Sequence, residues 1–236
     1  MTMKSTLFAL MILLSSYSQA AMMIEGSRVI IKHSQREATL PIKNTSKYPV
    51  IIQSWVDDGA PDGTPEKASH SPVIAIPTIF RLNENELKYI RLVNKFMPSS
   101  TDRESLYWLN LYEITPTPDN EKGNASIINV AVRLQIKVFY RPDNLNATIG
   151  EISDQIQFTL DKGSQRLTIK NPTPFYITFN KLQMGKTEEQ LPTMLLPPFS
   201  EQQTEIKKDN TNNKILFSLI DDSGEQNHYE KEIIVR

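Results

Sequence analysis

The sequence predicts an all-β protein made of two β-sandwiches, and three observations lead to this prediction. Apolar and polar residues alternate over many short segments, which is the pattern of half-buried strands. Fifteen prolines and eight glycines are spread through the 236 residues, which disfavours long helices. The alternation stops at Arg141-Pro142-Asp143-Asn144 and then resumes. We therefore expect two domains, at residues 21–142 and 143–236, each with a core of its own.

The first predicted domain contains at least seven strands separated by Pro, Gly and Asn turns, as in a β-sandwich. They cover residues 28–31, 38–42, 50–56, 74–76, 89–93, 106–112 and 127–140. The last of them is about 14 residues long, whereas an ordinary strand has about five or six. Within it, Ile128, Val130 and Val132 project from one face, although the central strand of any sandwich would show the same pattern.

The second predicted domain is a smaller β-sandwich of about 90 residues. Its alternating segments are residues 156–160, 167–169, 175–179, 215–219 and 233–235. The proline-bounded segment 191–198, which lies between these strands, is predicted to be a loop or an edge of the sheet.

The first twenty residues have the composition of a secretory signal peptide. Lys4 gives a positive start, residues 7–14 form an unbroken apolar run, and Ser18-Gln19-Ala20 places small residues at the cleavage positions. The apolar run is too short to cross a bilayer, which requires about 20 residues, so a membrane anchor is the disfavoured alternative. We expect cleavage after Ala20 and no stable membrane insertion of the remaining chain.

The overall composition excludes several classes of function. Lys and Arg total 26 against 27 for Asp and Glu, so the net charge is −1. Because there is no basic excess to hold a phosphate backbone, we expect no nucleic-acid partner. The absence of cysteine excludes disulfides, thiolate nucleophiles and Cys-ligated metal sites.

Motifs for catalysis or metal binding are also missing, so we expect no catalytic residue, no cofactor and no metal. The Gly-Lys-Thr at residues 185–187 lacks the earlier glycine of a phosphate-binding loop. Residues 57–63 lack the ligand spacing of a calcium loop, and a solvated hairpin end is the preferred interpretation. His33, His70 and His228 are far apart among polar neighbours and are interpreted as surface residues.

Five segments in order give the chain a specific resemblance to a known family. They are Arg28-Val29-Ile30, residues 72–77, Arg81-Leu82, residues 102–111 and residues 136–142. Together they closely resemble the periplasmic chaperones of the chaperone–usher pilus pathway. The Asp-Arg-Glu-Ser segment that begins at Asp102 and the Ile-Lys-Val-Phe-Tyr-Arg-Pro segment are the most specific. The first domain carries nearly all of the match, and the second is similar mainly in length and strand pattern.

The resemblance implies two immunoglobulin-like domains in a boomerang arrangement and a periplasmic location. It implies that the protein binds pilus or fimbrial subunits, which lack their last strand, and lends them its own long strand. Ile128, Val130 and Val132 would then enter the open core of the subunit. The protein would prevent premature polymerisation and deliver each subunit to an outer-membrane usher. Self-association of the free protein through the same edge is left open.

The resemblance also assigns charged residues. Arg28 and Lys137 match the two family residues that anchor the C-terminal carboxylate of the subunit. Glu104, Arg141 and Asp222 match a trio that forms salt bridges between the domains, although Asp221 is an alternative to Asp222. The short polar connection at residues 115–126 indicates the branch of the family with a short loop before the donor strand.

Two other functions are weighed against this one. A structural pilus or adhesin subunit is the first alternative, but such subunits usually carry a cysteine pair and an apolar, alternating N-terminal arm. Residues 21–27 offer little of that arm. A periplasmic enzyme is the second alternative, and the missing site residues oppose it. Some chaperones of the family carry a disulfide in the second domain, and this chain departs from them.

Overall fold

The structure is a computed structural model that describes residues 22–96, 100–114, 131–184, 189–190, 194–206 and 213–236. The predicted signal peptide, the connection 115–126 and the donor residues Ile128 and Val130 lie outside the described residues. The predicted all-β fold with two sandwiches is confirmed, since strands make up most of the described chain.

Nine strands form the first sandwich. In chain order they are β1 (Met22–Ile24), β2 (Arg28–Lys32), β3 (Glu37–Asn44), β4 (Val50–Asp57), β5 (Val73–Ile76), β6 (Ile79–Leu82), β7 (Leu87–Asn94), β8 (Ser105–Ile114) and β9 (Val132–Arg141). One sheet has the order β1-β3-β7-β5 and the other β2-β9-β8-β4-β6. A short 3₁₀ turn, Lys67–His70, lies between β4 and β5. Alternate residues of these strands face inward and form one buried apolar cluster, which runs from Met22 to Tyr140.

The second sandwich also has two sheets. In chain order its strands are β10 (Gln157–Asp161), β11 (Arg166–Asn171), β12 (Ile177–Met184), β13 (Glu189–Gln190), β14 (Met194–Leu196), β15 (Ser200–Glu205), β16 (Lys214–Ile220), β17 (Gln226–Glu232) and β18 (Ile234–Val235). The sheets have the orders β15-β11-β10-β18 and β13-β12-β16-β17, with β14 also paired to β12. A separate apolar cluster, from Ile152 to Ile233, fills this sandwich.

One short helix, α1 (Ile149–Gln155), connects the two domains and was not predicted from the sequence. Thr148 and Glu151 form a capping box at its start, in which each side chain binds the backbone N–H of the other residue. At its end the Lys231 ammonium group donates to the carbonyls of Asp154 and Ile156. The capping residues and Lys231 therefore stabilise a helix that is too short to stand alone.

A buried asparagine fixes the corner that follows β3. The side-chain nitrogen of Asn44 donates to the carbonyls of Tyr48 (2.8 Å) and Leu82 (3.1 Å). Its oxygen accepts from the backbone N–H (2.9 Å) and the hydroxyl (2.6 Å) of Ser46. Asn44 is fully buried, so these bonds replace water for every polar atom of its amide.

The corner that follows β11 in the second sandwich has the same construction. The side-chain nitrogen of Asn171 donates to the carbonyls of Phe175 and Pro197, both at 2.8 Å. Its oxygen accepts from the backbone N–H (2.9 Å) and the hydroxyl (2.6 Å) of Thr173. The two sandwiches thus share a buried asparagine followed two residues later by a hydroxyl side chain.

The structure bears on two local interpretations of the sequence. The segment 191–198, predicted to be a loop or edge, includes the strand Met194–Leu196, which among the described residues pairs only with β12 and so lies at an edge of the sheet. Asp57, expected at a solvated hairpin end, is buried and 5% exposed. Its carboxylate accepts from the Trp55 indole N–H (2.8 Å) and the Gly59 N–H (2.9 Å). The solvated interpretation is therefore wrong for Asp57.

Candidate functional site

Strand β9 has one edge that is only partly covered. On one side β8 pairs with residues 132–140 of β9. On the other side β2 runs parallel to β9 and pairs only with Lys137–Arg141, beginning at the pair Arg28 and Lys137. Within the described residues, no strand covers that side of residues 132–136. Five residues of backbone are therefore open to a further strand, in line with β2.

The inward side chains of β9 become more exposed from Val138 toward Val132, along this open edge. Val138 and Ile136 are buried in the first sandwich, Leu134 is half-buried, and Val132 is 43% exposed. Since Val132 lies on the same face as the buried residues, an apolar stripe extends from the core of the protein outward. Val132 is the one predicted donor residue that the structure describes.

The predicted anchor cations are adjacent. Arg28 is the first residue of β2, and Lys137 is its direct partner on β9. The Lys137 ammonium lies 5.2 Å from the centroid of the Trp108 ring, and the Arg28 guanidinium lies 5.7 Å from that of Phe139. Arg28 Nη1 also donates to the Ile220 carbonyl of the second sandwich at 2.9 Å. Both cations are therefore held at the point where the open edge ends.

The electrostatics of this pair favour an anion. Burial lowers the pKa of the Arg28 guanidinium, although Asp222, Asp221 and Glu104 oppose the shift. Burial and the neighbouring Arg28 charge lower the pKa of the Lys137 ammonium. In the part of the chain that the structure describes, neither cation forms a salt bridge, and the buried Nε of Arg28 has no hydrogen-bond partner. A carboxylate would supply both the missing charge and the missing acceptor.

The second predicted charge group connects the domains. Arg141 Nε donates to Glu104 at 2.6 Å, and its two terminal nitrogens donate to Asp222 at 2.6 and 2.8 Å. The second oxygen of Glu104 accepts from the Tyr176 N–H at 2.7 Å, and the Glu104 N–H donates to the Pro174 carbonyl at 2.9 Å. Burial raises the pKa of the Glu104 carboxyl, and the Arg141 charge opposes that shift.

The choice between the two neighbouring aspartates follows from their contacts. Asp222 accepts the bidentate pair from Arg141. Asp221 instead closes the turn before β17, because its carboxylate accepts from the Ser223 N–H and hydroxyl and from the Glu225 N–H. The structure therefore places Asp222, and not Asp221, in the trio.

A cleft between the two sandwiches connects these groups. It has a volume of about 300 Å³. Its lining includes Arg28, Phe139, Arg141, Tyr176 and Asp222. The lining also includes the carboxylates of Glu104 and Asp221, so both arginines share this cleft with acidic side chains.

Sequence reasoning missed the aromatic residues that support the cations. Trp108 is the partner of Lys137 on β8, and Phe139 is the partner of Ile30 on β2. Alternation predicts that both aromatic residues lie on the outer face. It cannot predict that they contact the cations, because that depends on the register between strands that are distant in the sequence.

Among the described residues, no helix is long and apolar enough to span a membrane. No group of three or more His, Asp or Glu side chains there could hold a metal ion.

Comparison with known proteins assigns a family. The model of the pili and flagellar-assembly chaperone PapD N-terminal domain matches residues 21–146, and that of the pili assembly chaperone PapD C-terminal domain matches residues 151–231. The chaperone protein PapD of Escherichia coli is 33% identical over 229 residues, covering 94% of this chain and 90% of PapD.

Two further proteins agree. The probable fimbrial chaperone YadV of Escherichia coli K12 is 32% identical over 219 residues and 89% of both chains. The crystal structure of the Pseudomonas aeruginosa CupB2 chaperone superposes with a TM-score of 0.74 at 27% identity, covering 89% of this chain and 100% of CupB2. The chain belongs to the pili assembly chaperone family.

Proposed function

We propose that this protein binds unfinished pilus subunits by adding a strand to its own open edge. The subunit's last strand lies along residues 132–136, and its C-terminal carboxylate binds Arg28 and Lys137. The observation that carries the proposal is that this edge ends at two cations with no salt-bridge partner among the described residues. The names of the relatives support a chaperone and do not favour the alternative of a structural pilus subunit.

The geometry determines the direction of the incoming strand. β2 is parallel to β9 and begins at Arg28. A guest strand that pairs with residues 132–136 of β9 lies in line with β2, on the side of Arg28. Only a guest parallel to β9 brings its C-terminus, rather than its N-terminus, to Arg28 and Lys137. Binding of a carboxylate there therefore requires a parallel strand.

Both parts of the contact contribute to affinity. Val132 is 43% exposed in the free protein, so burial of the remaining surface in the subunit would stabilise the complex by roughly 1 kcal/mol. Ile128 and Val130, on the same face by alternation, are proposed to act in the same way. Each charge-assisted hydrogen bond to the carboxylate is worth about 1.5–3 kcal/mol. The backbone bonds are independent of sequence, so different subunits can be accepted.

A peptide experiment tests the carboxylate site directly. The probe is a synthetic peptide with the last-strand sequence of a pilus subunit, made once with a free C-terminus and once as the amide. We expect the free carboxylate to bind at least tenfold more tightly, since one charge-assisted bond is worth about that factor. Equal binding of the two peptides would contradict the proposal.

Variants give the matched test. Arg28→Ala and Lys137→Ala should abolish the preference for the carboxylate while the chaperone stays folded by circular dichroism. Lys32→Ala is the control, because Lys32 is an exposed cation at the other end of β2. If Lys32→Ala lowers binding as much as Arg28→Ala, general charge attraction explains the result instead.

Location and the later steps are part of the same proposal. We propose that residues 1–20 direct the chain to the periplasm and that the loaded protein passes its subunit to an outer-membrane usher. Strand pairing and carboxylate binding require no cofactor and no catalytic step. Cell fractionation and co-purification of a small β-rich partner from the periplasm test the location and the client together.

The open edge also suits a second copy of the chain when no subunit is bound. Val132 and the unpaired backbone of residues 132–136 would be covered in such a dimer. Light scattering of the free protein should then show a dimer that dissociates when the carboxylate peptide is added. A monomer at all concentrations would contradict self-association without affecting subunit binding.

A further inference from the structure

Strand β9 needs a second point of attachment at the end where it leaves the core. Lys137 and the buried Val138 fix the middle of the strand. Val132 is 43% exposed and Leu134, the next residue on the inner face, is partly buried, and within the described residues only the β8 ladder holds the backbone here. A strand whose inward side chains are exposed is free to change register unless its outer face is held.

The outer face is held by the guanidinium of Arg133. Its Nε donates to the side-chain oxygen of Asn110 at 2.8 Å, and Nη1 donates to the Pro61 carbonyl at 3.0 Å. Nη2 donates to the Asp57 carboxylate and to the Ala60 carbonyl, both at 3.3 Å. The guanidinium therefore binds four acceptors, one at the end of β4 and two in the loop that follows it.

The loop is shaped to receive this side chain. The Asp57 carboxylate is buried and also accepts from the Trp55 indole, and the Arg133 guanidinium lies 5.1 Å from the centroid of the Trp55 ring. A Cβ at Gly63 would lie 2.3 Å from Asp57 Oδ2 and 3.1 Å from Arg133 Nη2. Glycine at position 63 therefore leaves the space in which the ion pair forms.

We propose that Arg133 is a positioning residue that fixes the register of the donor strand through Asp57 and the 57–63 loop. The proposal rests on the proposed function, because it explains how the strand is presented to the subunit. Arg133 and Lys137 lie on the same outer face, four residues apart. The open edge at residues 132–136 thus lies between one charged contact to its own domain and one charged contact for the guest.

The contact resists a change of register because one side chain binds four acceptors at fixed positions. A slip by one residue would turn Arg133 toward the apolar core. A slip by two would put Ala131 or Gln135 in the ladder position opposite Tyr112 that Arg133 occupies, and it would move the guanidinium about 7 Å along the strand from its acceptors. Gln135 already donates to Asn110 at 3.0 Å, so the native register satisfies both outer-face side chains at once.

Hydrogen exchange in the free protein is the first test. Arg133→Gln and Asp57→Asn should each increase exchange about tenfold at those amides of residues 133–136 that donate to β8, the equivalent of one charge-assisted bond. Arg81→Gln is the control, because Arg81 is an exposed arginine of β6 in the same sheet. Unchanged exchange in both variants, or equal change in the control, would overturn the proposal.

The second test is the register of the strand pair in the complex, measured by disulfide crosslinking. Because the chain contains no native cysteine, every crosslink comes from the introduced one. Val132→Cys is combined with subunit peptides that carry one cysteine at successive positions. When Val132→Cys is made with Arg133 retained, we expect a disulfide with only one peptide of the series, the one whose cysteine lies beside position 132. With Arg133→Gln added, we expect crosslinks at neighbouring positions too, while the preference for a free carboxylate is retained. A single crosslinked position in both backgrounds would overturn the positioning role.

The two proposals fail in different ways. If the wild type binds neither peptide, the proposed function is refuted, and exchange in the free protein alone then decides whether Arg133 fixes the strand. If Arg133→Gln removes the carboxylate preference as well, Arg133 acts on the anchor site and the separate positioning role is refuted.

Discussion

Arg141 binds two carboxylates that differ in burial, and one of them belongs to the other sandwich. The Glu104 side chain is 2% exposed and the Asp222 side chain is 56% exposed, and both accept from the same guanidinium. Glu104 precedes β8 and Arg141 ends β9, so their pair lies within the first sandwich, whereas Asp222 belongs to the second. We predict that Glu104→Gln lowers the stability of the first sandwich strongly and that Asp222→Asn lowers it little. The two substitutions remove the same charge from the same cation, so each is the control for the other.

The expected magnitudes follow from burial. Removing one partner of a buried ion pair costs about 3–5 kcal/mol, whereas an exposed pair is worth about 0–1 kcal/mol. Glutamine at position 104 keeps an oxygen that can accept from the Tyr176 N–H. The loss of stability should therefore lie at the lower end of the range for a buried pair. We therefore expect about 3 kcal/mol for Glu104→Gln and less than about 1 kcal/mol for Asp222→Asn.

The chain provides a reporter that distinguishes the domains. Its two tryptophans, Trp55 and Trp108, both lie in the first sandwich. In a urea titration, tryptophan fluorescence therefore follows the first sandwich and far-ultraviolet circular dichroism follows both. The two signals should coincide in the wild type and in Asp222→Asn, and separate in Glu104→Gln. Equal losses from both substitutions, or coincident signals in Glu104→Gln, would refute the assignment of the larger energy to the buried pair.

Three further predictions concern the guest site and the corners. Because burial and Arg28 lower the pKa of Lys137 and a bound carboxylate raises it again, calorimetric affinity for the carboxylate peptide should be constant at pH values below that lowered pKa. It should fall as the pH rises through the lowered value, whereas Lys137→Arg should show no such fall. Val132→Asp should abolish peptide capture in a pull-down, because it would bury a charge in the subunit core, and a normal yield would mean that another strand pairs. Asn44→Ala and Asn171→Ala should each lower the free energy of unfolding by about 3 kcal/mol, since several buried groups lose their partners, and losses below about 1 kcal/mol would contradict the role of these corners.

Alternation was sufficient to predict the strands whose two faces differ. Strands β4 and β8 follow the predicted segments closely because their alternating side chains are buried in a core. Strand β9 begins at Val132 rather than at residue 127, and residues 127–130 lie outside the described residues. The sequence pattern could not pair them, since register depends on contacts between distant segments. The placement of Arg28 opposite Lys137 therefore came from the family resemblance and not from the spacing of the residues.

The errors arose where the partner is distant or the element is short. Asp57 was interpreted as solvated because its cation, Arg133, lies 76 residues away in the chain. The helix at Ile149–Gln155 has seven residues, which is too few for a recognisable apolar stripe. Its capping box, Thr148 with Glu151, was the signal that could have revealed it.

The in-line arrangement of β2 has a practical consequence for handling its clients. β2 pairs with β9 directly beyond the position proposed for the guest strand. Any polypeptide that continued past the guest's final residue would therefore collide with Arg28. A purification tag fused to the tail of a subunit should therefore prevent loading, and the same tag at a surface loop should be tolerated. Under the proposed function, β2 thus acts as an end-stop that admits only subunits with a free C-terminus.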